Sequence, residues 1–143
     1  MALESGYRDI DSLDERQIRE LHALYQAEWW TAGRSLDDVR RMLETTGVIV
    51  GVCQNPGGRL VGFARILTDN VFKASIFDVI VAPDCRNDGL GGHLMERIVG
   101  HPALAGVKHL ELYCLPELVP FYEKWGFSTE VAGVKFMRRT SAV

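Results

Sequence analysis

The residues best suited to binding or catalysis follow a β-rich stretch that ends at Val81. The next segment, 82–92, reads APDCRNDGLGG, and a helical pattern begins near Leu90. A helix N-terminus presents unpaired N–H groups and a partial positive charge, and glycines let a phosphate approach the backbone. The segment therefore predicts an anion site suited to a pyrophosphate, with Arg86 as a charge-assisted contact. The alternative is an ordinary strand-to-helix turn, since neither the P-loop nor the G-x-G-x-x-G spacing is present.

The elements that must position this turn follow from the hydrophobic pattern. Ser12 and Glu15 resemble a capping box and open a helix to about Glu28, and Ser35 caps a second helix that ends at Gly47. With the strands and helices that follow, the order of elements along the chain is that of a mixed α/β domain. The predicted elements are strands at Tyr7–Ile10, Val48–Cys53, Leu60–Leu67, Ser75–Val81 and Leu110–Cys114, helices at Gly89–Gly100 and Val119–Trp125, and a closing hairpin of Phe127–Val131 and Val134–Met137.

Length and composition exclude several classes of protein. The chain has 143 residues, 47% hydrophobic and 24% charged, which is typical of one globular domain and excludes disorder and collagen-like structure. The net charge of −3 lacks the basic surplus of a nucleic-acid binder. The longest apolar run, Val48–Cys53, is far shorter than the ~20 residues of a membrane span. We therefore expect neither nucleic-acid nor membrane partners.

The N-terminus and the cysteines indicate a compartment. Met1–Asp9 is polar and mixed, so no secretory signal is expected there. The 3 cysteines are odd in number and far apart, and the 4 histidines show no metal-ligand spacing. The sequence predicts no metal site, no disulfide framework and a reducing, cytoplasmic setting.

Two motifs resemble those of the GNAT superfamily of acyl-CoA N-acyltransferases. The first is similar to the family's motif A, and a second, about thirty residues downstream, is similar to its motif B. The motifs read Val81-x-Pro83-x-x-Arg86-x-x-Gly89-x-Gly91 and Phe121-Tyr122-Glu123-Lys124-Trp125-Gly126-Phe127. Gly62–Arg65 and Ile76–Val81 are also similar to the bacterial and plastid branch grouped with arylalkylamine (serotonin-type) N-acetyltransferases.

The resemblance implies an α/β fold for the whole chain. It predicts a single N-acetyltransferase domain over residues 1–143, with a core of about 5–139. The sheet is expected to be mixed and mostly antiparallel, with helices on both faces and one parallel strand pair that splays apart.

The resemblance also implies acetyl-CoA as co-substrate. It would lie between the strands Ser75–Val81 and Leu110–Cys114, where an N–H near Val79 would polarise the thioester. The pantetheine arm would lie against Val79, Ile80 and Val81, and the pyrophosphate against the amides of Arg86, Asn87, Asp88, Gly89, Leu90, Gly91 and Gly92. Asp88 brings a negative charge there, which disfavours CoA unless the side chain points away. An asparagine frequent upstream of motif B is replaced by Leu115–Glu117.

The implied reaction is direct acetyl transfer to a primary amine of a small molecule in a ternary complex. Tyr122 matches the family's acid for the leaving thiolate, and the alternative is a core aromatic. Asp78 is the first candidate base. Strand alternation places it on the face of Ile76 and Ile80, where burial would raise its pKa. The alternatives are a structural pair between Asp78 and Arg65, the carboxylates Glu28 and Glu111 as bases, and water-mediated deprotonation.

The connection between the first two helices borders the acceptor pocket in this family. Trp29, Trp30 and Arg34 are therefore the expected substrate contacts, although one tryptophan is expected to pack under the loop. Two other functions stay open, a non-catalytic acyl-CoA-binding or regulatory module and a protein lysine or N-terminal acetyltransferase. The resemblance also implies a homodimer.

Overall fold

A five-stranded sheet in the order β1-β2-β3-β4-β5 organises the molecule. The computed structural model describes residues 5–141, so the first four residues of the stretch judged for a secretory signal lie outside it. All neighbouring strands are antiparallel except β4 and β5, which are parallel. The strands are β1 Tyr7–Ile10, β2 Val48–Gln54, β3 Leu60–Thr68, β4 Lys73–Val81 and β5 His109–Glu111.

Four α-helices flank the sheet: α1 Glu15–Gln26, α2 Leu36–Thr45, α3 Leu90–Val99 and α4 Val119–Glu123. The predicted capping box of α1 is wrong by two residues. Asp14 is the cap, because its Oδ1 accepts from the Gln17 amide at 2.8 Å while the Gln17 side chain accepts from the Asp14 amide at 3.0 Å. No helix within residues 5–141 is long and apolar enough to cross a membrane.

Each face of the sheet carries its own apolar core. Helix α3 packs on one face through Leu90, Leu94 and Ile98, all fully or almost fully buried. Helices α1 and α2 cover the opposite face, where Tyr25 and Phe63 meet edge to face at 6.4 Å. The predicted α/β fold, with helices on both faces of a mixed sheet, is confirmed.

The parallel pair splays apart soon after it forms. Pairing of β4 with β5 begins at Lys73 and stops at Ser75, which faces Glu111. Strand β4 then continues to Val81, while the chain after Glu111 leaves it. A cleft therefore opens beside the second half of β4, as predicted for a parallel strand pair that splays apart.

The predicted C-terminal hairpin is wrong. Neither Phe127–Val131 nor Val134–Met137 forms a strand. Ala132 and Gly133 both adopt the left-handed conformation, with φ of 58° and 77°, and local hydrogen bonds within residues 129–134 replace a ladder. Strand β5 has only 3 residues, so it offers these segments a short edge for pairing.

Candidate active site

A β-bulge at Asp78 reshapes the strand that borders the cleft. Phe63 faces Ile80 and Arg65 faces Phe77, so one extra residue of β4 lies between these pairs. Asp78 has a φ of 58°, a conformation that non-glycine residues rarely adopt. The bulge breaks the strand alternation, and Ile80 packs with α1 and α2.

The prediction that Asp78 shares a face with Ile76 and Ile80 is therefore wrong. Ile76 packs on the α3 face of the sheet, whereas Ile80 packs on the opposite face. Asp78 accepts a hydrogen bond from Tyr25 of α1. The carboxylate thus lies on the side of the sheet that α1 covers.

Asp78 is held by three donors at one oxygen. Its Oδ2 accepts from the Tyr25 hydroxyl at 2.9 Å, from Arg34 Nη1 at 2.8 Å and from Arg65 Nε at 2.7 Å. Its Oδ1 is 3.3 Å from Arg34 Nη2, which makes the Arg34 contact two-pronged. Only 5% of the Asp78 side chain is exposed.

This environment lowers the pKa of Asp78. Burial pushes the pKa of the carboxyl upward, but the hydrogen bonds and charges of Arg34 and Arg65 outweigh burial. The expectation of a raised pKa is therefore wrong, and the alternative, an ion pair with Arg65, is confirmed. The role of Asp78 as a base stays a prediction.

The connection between α1 and α2 meets this cluster through Arg34. Its guanidinium lies 4.6 Å from the centre of the Tyr25 ring, and burial raises the pKa of that tyrosine. Tyr25 is not singled out as a site residue in the sequence, so its contact with Asp78 is not predicted. Its position on the buried face of α1 was the available signal, but nothing in the sequence showed what lies opposite.

The two tryptophans of this connection are exposed. Trp29 is 75% exposed and Trp30 is 40% exposed. The expected packing of one tryptophan under the loop is not seen, since Thr31 is buried there and donates to the Tyr25 carbonyl at 2.8 Å. The indoles are therefore available to a ligand at the surface.

The glycine turn leads from β4 into α3. A 3₁₀ turn at Pro83–Cys85 is followed by Gly89, whose φ of 75° lets the chain turn into α3. Gly89 has no side chain to cap the helix, so the first-turn N–H groups receive no side-chain acceptor from it. The Asp88 amide donates to the Cys85 carbonyl at 3.3 Å. The anion site at the amides of residues 86–92 stays a prediction.

Asp88 is bound to a residue at the start of β1. The Tyr7 hydroxyl donates a short hydrogen bond to its carboxylate. The hydrogen bond from Tyr7 to Asp88 is also the largest cause of a raised pKa of Tyr7. Tyr7 thus holds the carboxylate toward β1.

Arg86 joins the glycine turn to the α1–α2 connection. Its Nη2 forms an ion pair with Glu28, and its Nε donates to the Val81 carbonyl at 3.2 Å. Glu28, a weaker candidate base, is therefore paired with Arg86. The arrangement joins the predicted cofactor side to the predicted acceptor side.

Tyr122 lines a groove of about 1430 Å³ beside the splay. Ser75 and Phe77 of β4 form one wall, and Tyr113 and Cys114 follow β5 on the other. Burial, and then the nearby Cys114 thiol, raise the pKa of Tyr122 to about 12. Cys114 was not singled out as a site residue in the sequence, although it lies only a few residues before motif B.

Tyr122 also packs against aromatic neighbours. Its ring lies 5.0 Å from that of Phe121 and 6.4 Å from that of Phe127. The core alternative and the acid role are therefore compatible.

The candidate base Glu111 is 3.3 Å from Lys73 at the other end of the groove. Within residues 5–141, no group of three or more His, Cys, Asp or Glu is arranged to hold a metal ion.

Comparison with known protein families decides the assignment. The model of the acetyltransferase (GNAT) family matches residues 10–127, which include the bulge, the glycine turn and Tyr122. The chain belongs to the GNAT family. GNAT proteins are acetyltransferases, so the splayed cleft is the candidate active site.

Relatives within the GNAT family include plastid proteins. An uncharacterized N-acetyltransferase, ycf52, of Pyropia yezoensis is 33% identical over 135 residues, which cover 92% of this chain and 77% of that protein. The chloroplastic serotonin N-acetyltransferase 2 of Oryza sativa subsp. japonica is 37% identical over 110 residues, 73% of this chain and 55% of that protein.

Solved structures of GNAT proteins share the fold. A putative acetyltransferase of the GNAT family from Xanthomonas campestris pv. campestris aligns with a TM-score of 0.77 and 27% identity, over 94% of each chain. A putative acetyltransferase from Deinococcus radiodurans R1 also gives 0.77, at 28% identity, over 97% of this chain and 94% of that one.

Proposed function

We propose that this GNAT protein transfers an acetyl group from acetyl-CoA to a primary amine of a small molecule, by direct attack in a ternary complex. The observation that carries the proposal is the splay. Strand β4 leaves β5 after Ser75 and runs into the glycine turn, while Tyr122 lines a groove that reaches β4 at Ser75, Ile76 and Phe77. The splay therefore brings a free backbone edge of β4 between the proposed anion site and the proposed proton donor.

The cofactor side relies mainly on backbone groups. The pantetheine arm is assigned to the edge of β4 at Val79, Ile80 and Val81, and the pyrophosphate to the amides of residues 86–92. The Tyr7–Asp88 hydrogen bond supports this assignment, since it keeps the carboxylate on β1. Arg86 would exchange its ion pair with Glu28 for the pyrophosphate, or share the two.

In the proposed reaction, the amine nitrogen forms a bond to the thioester carbonyl carbon. The oxygen becomes negatively charged, and the N–H of Val79 is the proposed donor to it. The C–S bond then breaks, and the thiolate takes the proton of the Tyr122 hydroxyl. A pKa of about 12 keeps this tyrosine protonated at neutral pH. Solvent re-protonates the resulting phenolate.

The ammonium form of the amine must lose one proton before it attacks, and the nitrogen must lose a second proton to solvent as the amide forms. Asp78, predicted as the base, has a lowered pKa and accepts from two arginines and a tyrosine, so its oxygens are occupied. We therefore favour water as the proton carrier, the alternative that the sequence left open. Trp29 and Trp30 are proposed as the outer wall of the acceptor site, on the basis of their exposure.

The groove edges favour a small acceptor over a basic peptide. A protein acetyltransferase that binds lysine-rich segments needs acidic edges, but this groove carries lysines as well as glutamates. They are Lys73, Lys108, Lys135, Glu111, Glu123 and Glu130. A homodimer and a cytoplasmic location also stay predictions, as does the extent of the domain.

Titration calorimetry of acetyl-CoA and of free CoA tests the cofactor half. We expect micromolar binding of both ligands to the wild-type protein. Gly89→Val distorts a turn that needs a positive φ and is expected to abolish binding. Gly106→Ala is the control, since a Cβ there meets nothing within 4 Å. No binding at millimolar acetyl-CoA would overturn the proposal.

The acceptor half is tested by a turnover screen with acetyl-CoA. Arylalkylamines, diamines and aminoglycosides represent the amine classes, and product formation is measured by mass spectrometry. Turnover of at least one amine is expected. Tight acetyl-CoA binding without turnover of any amine would instead support the non-catalytic module.

A further inference from the structure

The cluster around Asp78 has a net positive charge. Two guanidinium groups, Arg34 and Arg65, share one carboxylate, and the fourth member, Tyr25, is neutral because its pKa is raised. The four residues come from the α1–α2 connection, β3, β4 and α1. One positive charge is therefore left over at a site that is largely buried.

The cluster lies next to the proposed reaction centre. Asp78 directly precedes Val79, whose N–H is the proposed donor to the thioester oxygen. Arg34 is 31% exposed, so its charge is only partly screened by water. A positive potential at this position acts on the amine and on the developing oxyanion.

Within residues 5–141, no other charged side chain forms an ion pair with the four residues of the cluster. On α2 the neighbour is the Met42 sulfur, 3.9 Å from both the Tyr25 hydroxyl and Arg34 Nη1. Glu28, in the same connection as Arg34, is already paired with Arg86. Among the charged side chains of the described residues, Arg34 and Arg65 are the causes that lower the pKa of Asp78.

We propose that this cluster, defined as Tyr25, Arg34, Arg65 and Asp78, provides a positive potential that favours the neutral form of the bound amine and stabilises the thioester oxyanion. Within it, Asp78 positions the two arginines and does not accept the substrate proton. The inference rests on the proposed acetyl transfer and explains how an amine can lose its proton to water without a carboxylate base.

The size of the effect follows from Coulomb's law. A unit charge about 12 Å from an amine, at an effective dielectric constant of about 20, changes the pKa of the amine by about one unit. A change of one pH unit alters the neutral fraction about tenfold at pH 7.

Three variants distinguish Asp78 as a residue that positions the two arginines from Asp78 as the base that accepts the substrate proton. Arg34→Gln removes the net charge, Arg34→Lys keeps it with poorer geometry, and Asp78→Asn adds a second net positive charge. The readout is the single-turnover rate constant for acetylation of benzylamine at saturating acetyl-CoA and saturating benzylamine, followed against pH. Under these conditions, the profile reports ionisation within the ternary complex.

We expect Arg34→Gln to move the acidic limb of the profile up by about one pH unit and to slow the reaction about tenfold at pH 7. Arg34→Lys should keep the limb within about 0.3 pH units of the wild-type position. Asp78→Asn should retain the limb, moved to lower pH, with a rate within about tenfold of wild type. Arg41→Gln on the exposed face of α2 is the charge control and should change nothing.

Two results would overturn the inference while the wild type is active. One is an Arg34→Gln profile that coincides with that of the wild type. The other is loss of both the limb and at least a hundredfold of the rate in Asp78→Asn, because that is the signature of a lost base. Circular dichroism checks the fold, and if Asp78→Asn does not fold, the Arg34 pair decides. A wild type that acetylates none of the screened amines, benzylamine included, despite binding acetyl-CoA, would overturn the proposed function itself.

Discussion

The two sides of the cleft are built in different ways. The cofactor side is one contiguous segment, residues 82–92, in which backbone N–H groups and a left-handed Gly89 form the site. The acceptor side is the cluster around Asp78, whose side chains come from four elements and span residues 25–78. A site made of consecutive backbone groups has a sequence motif, whereas a site made of converging side chains does not.

The difference also concerns tolerance to substitution. On the cofactor side, most side chains are exposed and only the glycines and the turn are required. On the acceptor side, each member of the cluster satisfies another, so loss of one leaves a buried charge or donor without its partner. We therefore expect larger effects of single substitutions at the cleft wall and in the cluster than at the non-glycine positions of the turn.

The largest expected effect is that of Tyr122→Phe, which tests the proposed acid in the groove beside the splay. Removal of the hydroxyl removes the proposed acid, so kcat should fall by about 10²–10⁴-fold while the Kd for acetyl-CoA changes less than about twofold. Steady-state kinetics and calorimetry measure the two quantities. Tyr113→Phe removes a hydroxyl from the same groove and should stay within about threefold of wild type. An unchanged kcat in Tyr122→Phe would exclude the acid role.

The same division decides what could be predicted from the sequence. The glycine turn, the splay and Tyr122 follow from contiguous motifs and element order. The bulge at Asp78 could not be predicted, because alternation was extrapolated through a residue that tertiary contacts place in a left-handed conformation. The predicted rise in the pKa of Asp78 is wrong because burial alone does not reveal Arg34, a distant residue in sequence that pairs with the carboxylate.

Two further errors have local causes. The cap of α1 was assigned to Ser12, but Asp14 also fits the spacing, through Gln17 in place of a glutamate. The hairpin prediction relied on β propensity in Phe127–Met137, and propensity does not supply a partner strand. Both errors concern choices among several locally acceptable patterns.

The second-largest effect is expected for Asp78→Asn, measured as stability. Removal of the buried carboxylate leaves Arg34 and Arg65 without their acceptor charge, and the free energy of unfolding at pH 7 should fall by about 3 kcal/mol. The folded-state pKa of Asp78 lies below its usual value, so its contribution is present above pH ~4 and is lost as the pH falls through the folded pKa. Urea unfolding at pH 7 and below pH 4 should therefore show a variant-to-wild-type difference that shrinks in acid. A difference independent of pH would contradict the ion pair as its cause.

A smaller effect is expected on the cofactor side, from the Tyr7–Asp88 hydrogen bond. Tyr7→Phe frees the carboxylate to turn toward the helix amides, so the affinity for acetyl-CoA should fall about fivefold. Asp88→Asn removes the negative charge and should raise the affinity by a similar factor. Calorimetry at two salt concentrations measures both, and the two variants should converge at high salt. Equal affinities in wild type and both variants at low salt would show that Asp88 lies too far from the bound pyrophosphate to matter.

The smallest expected effect is that of Trp29→Ala, which sharpens the contrast between a binding surface and a packed one. Trp29 is 75% exposed, so its loss should change the free energy of unfolding by less than about 0.5 kcal/mol. Trp125 is the matched comparison, because its ring lies 4.9 Å from Phe121 and its Nε1 donates to Glu96 at 3.1 Å. Trp125→Ala should therefore cost about 3 kcal/mol. With an arylalkylamine acceptor, Trp29→Ala should raise KM about threefold or more at unchanged kcat, because an indole wall contributes to binding equally in the ground and transition states. An unchanged KM in Trp29→Ala would move the acceptor wall away from the α1–α2 connection and leave Arg34 as that segment's contribution to the cleft.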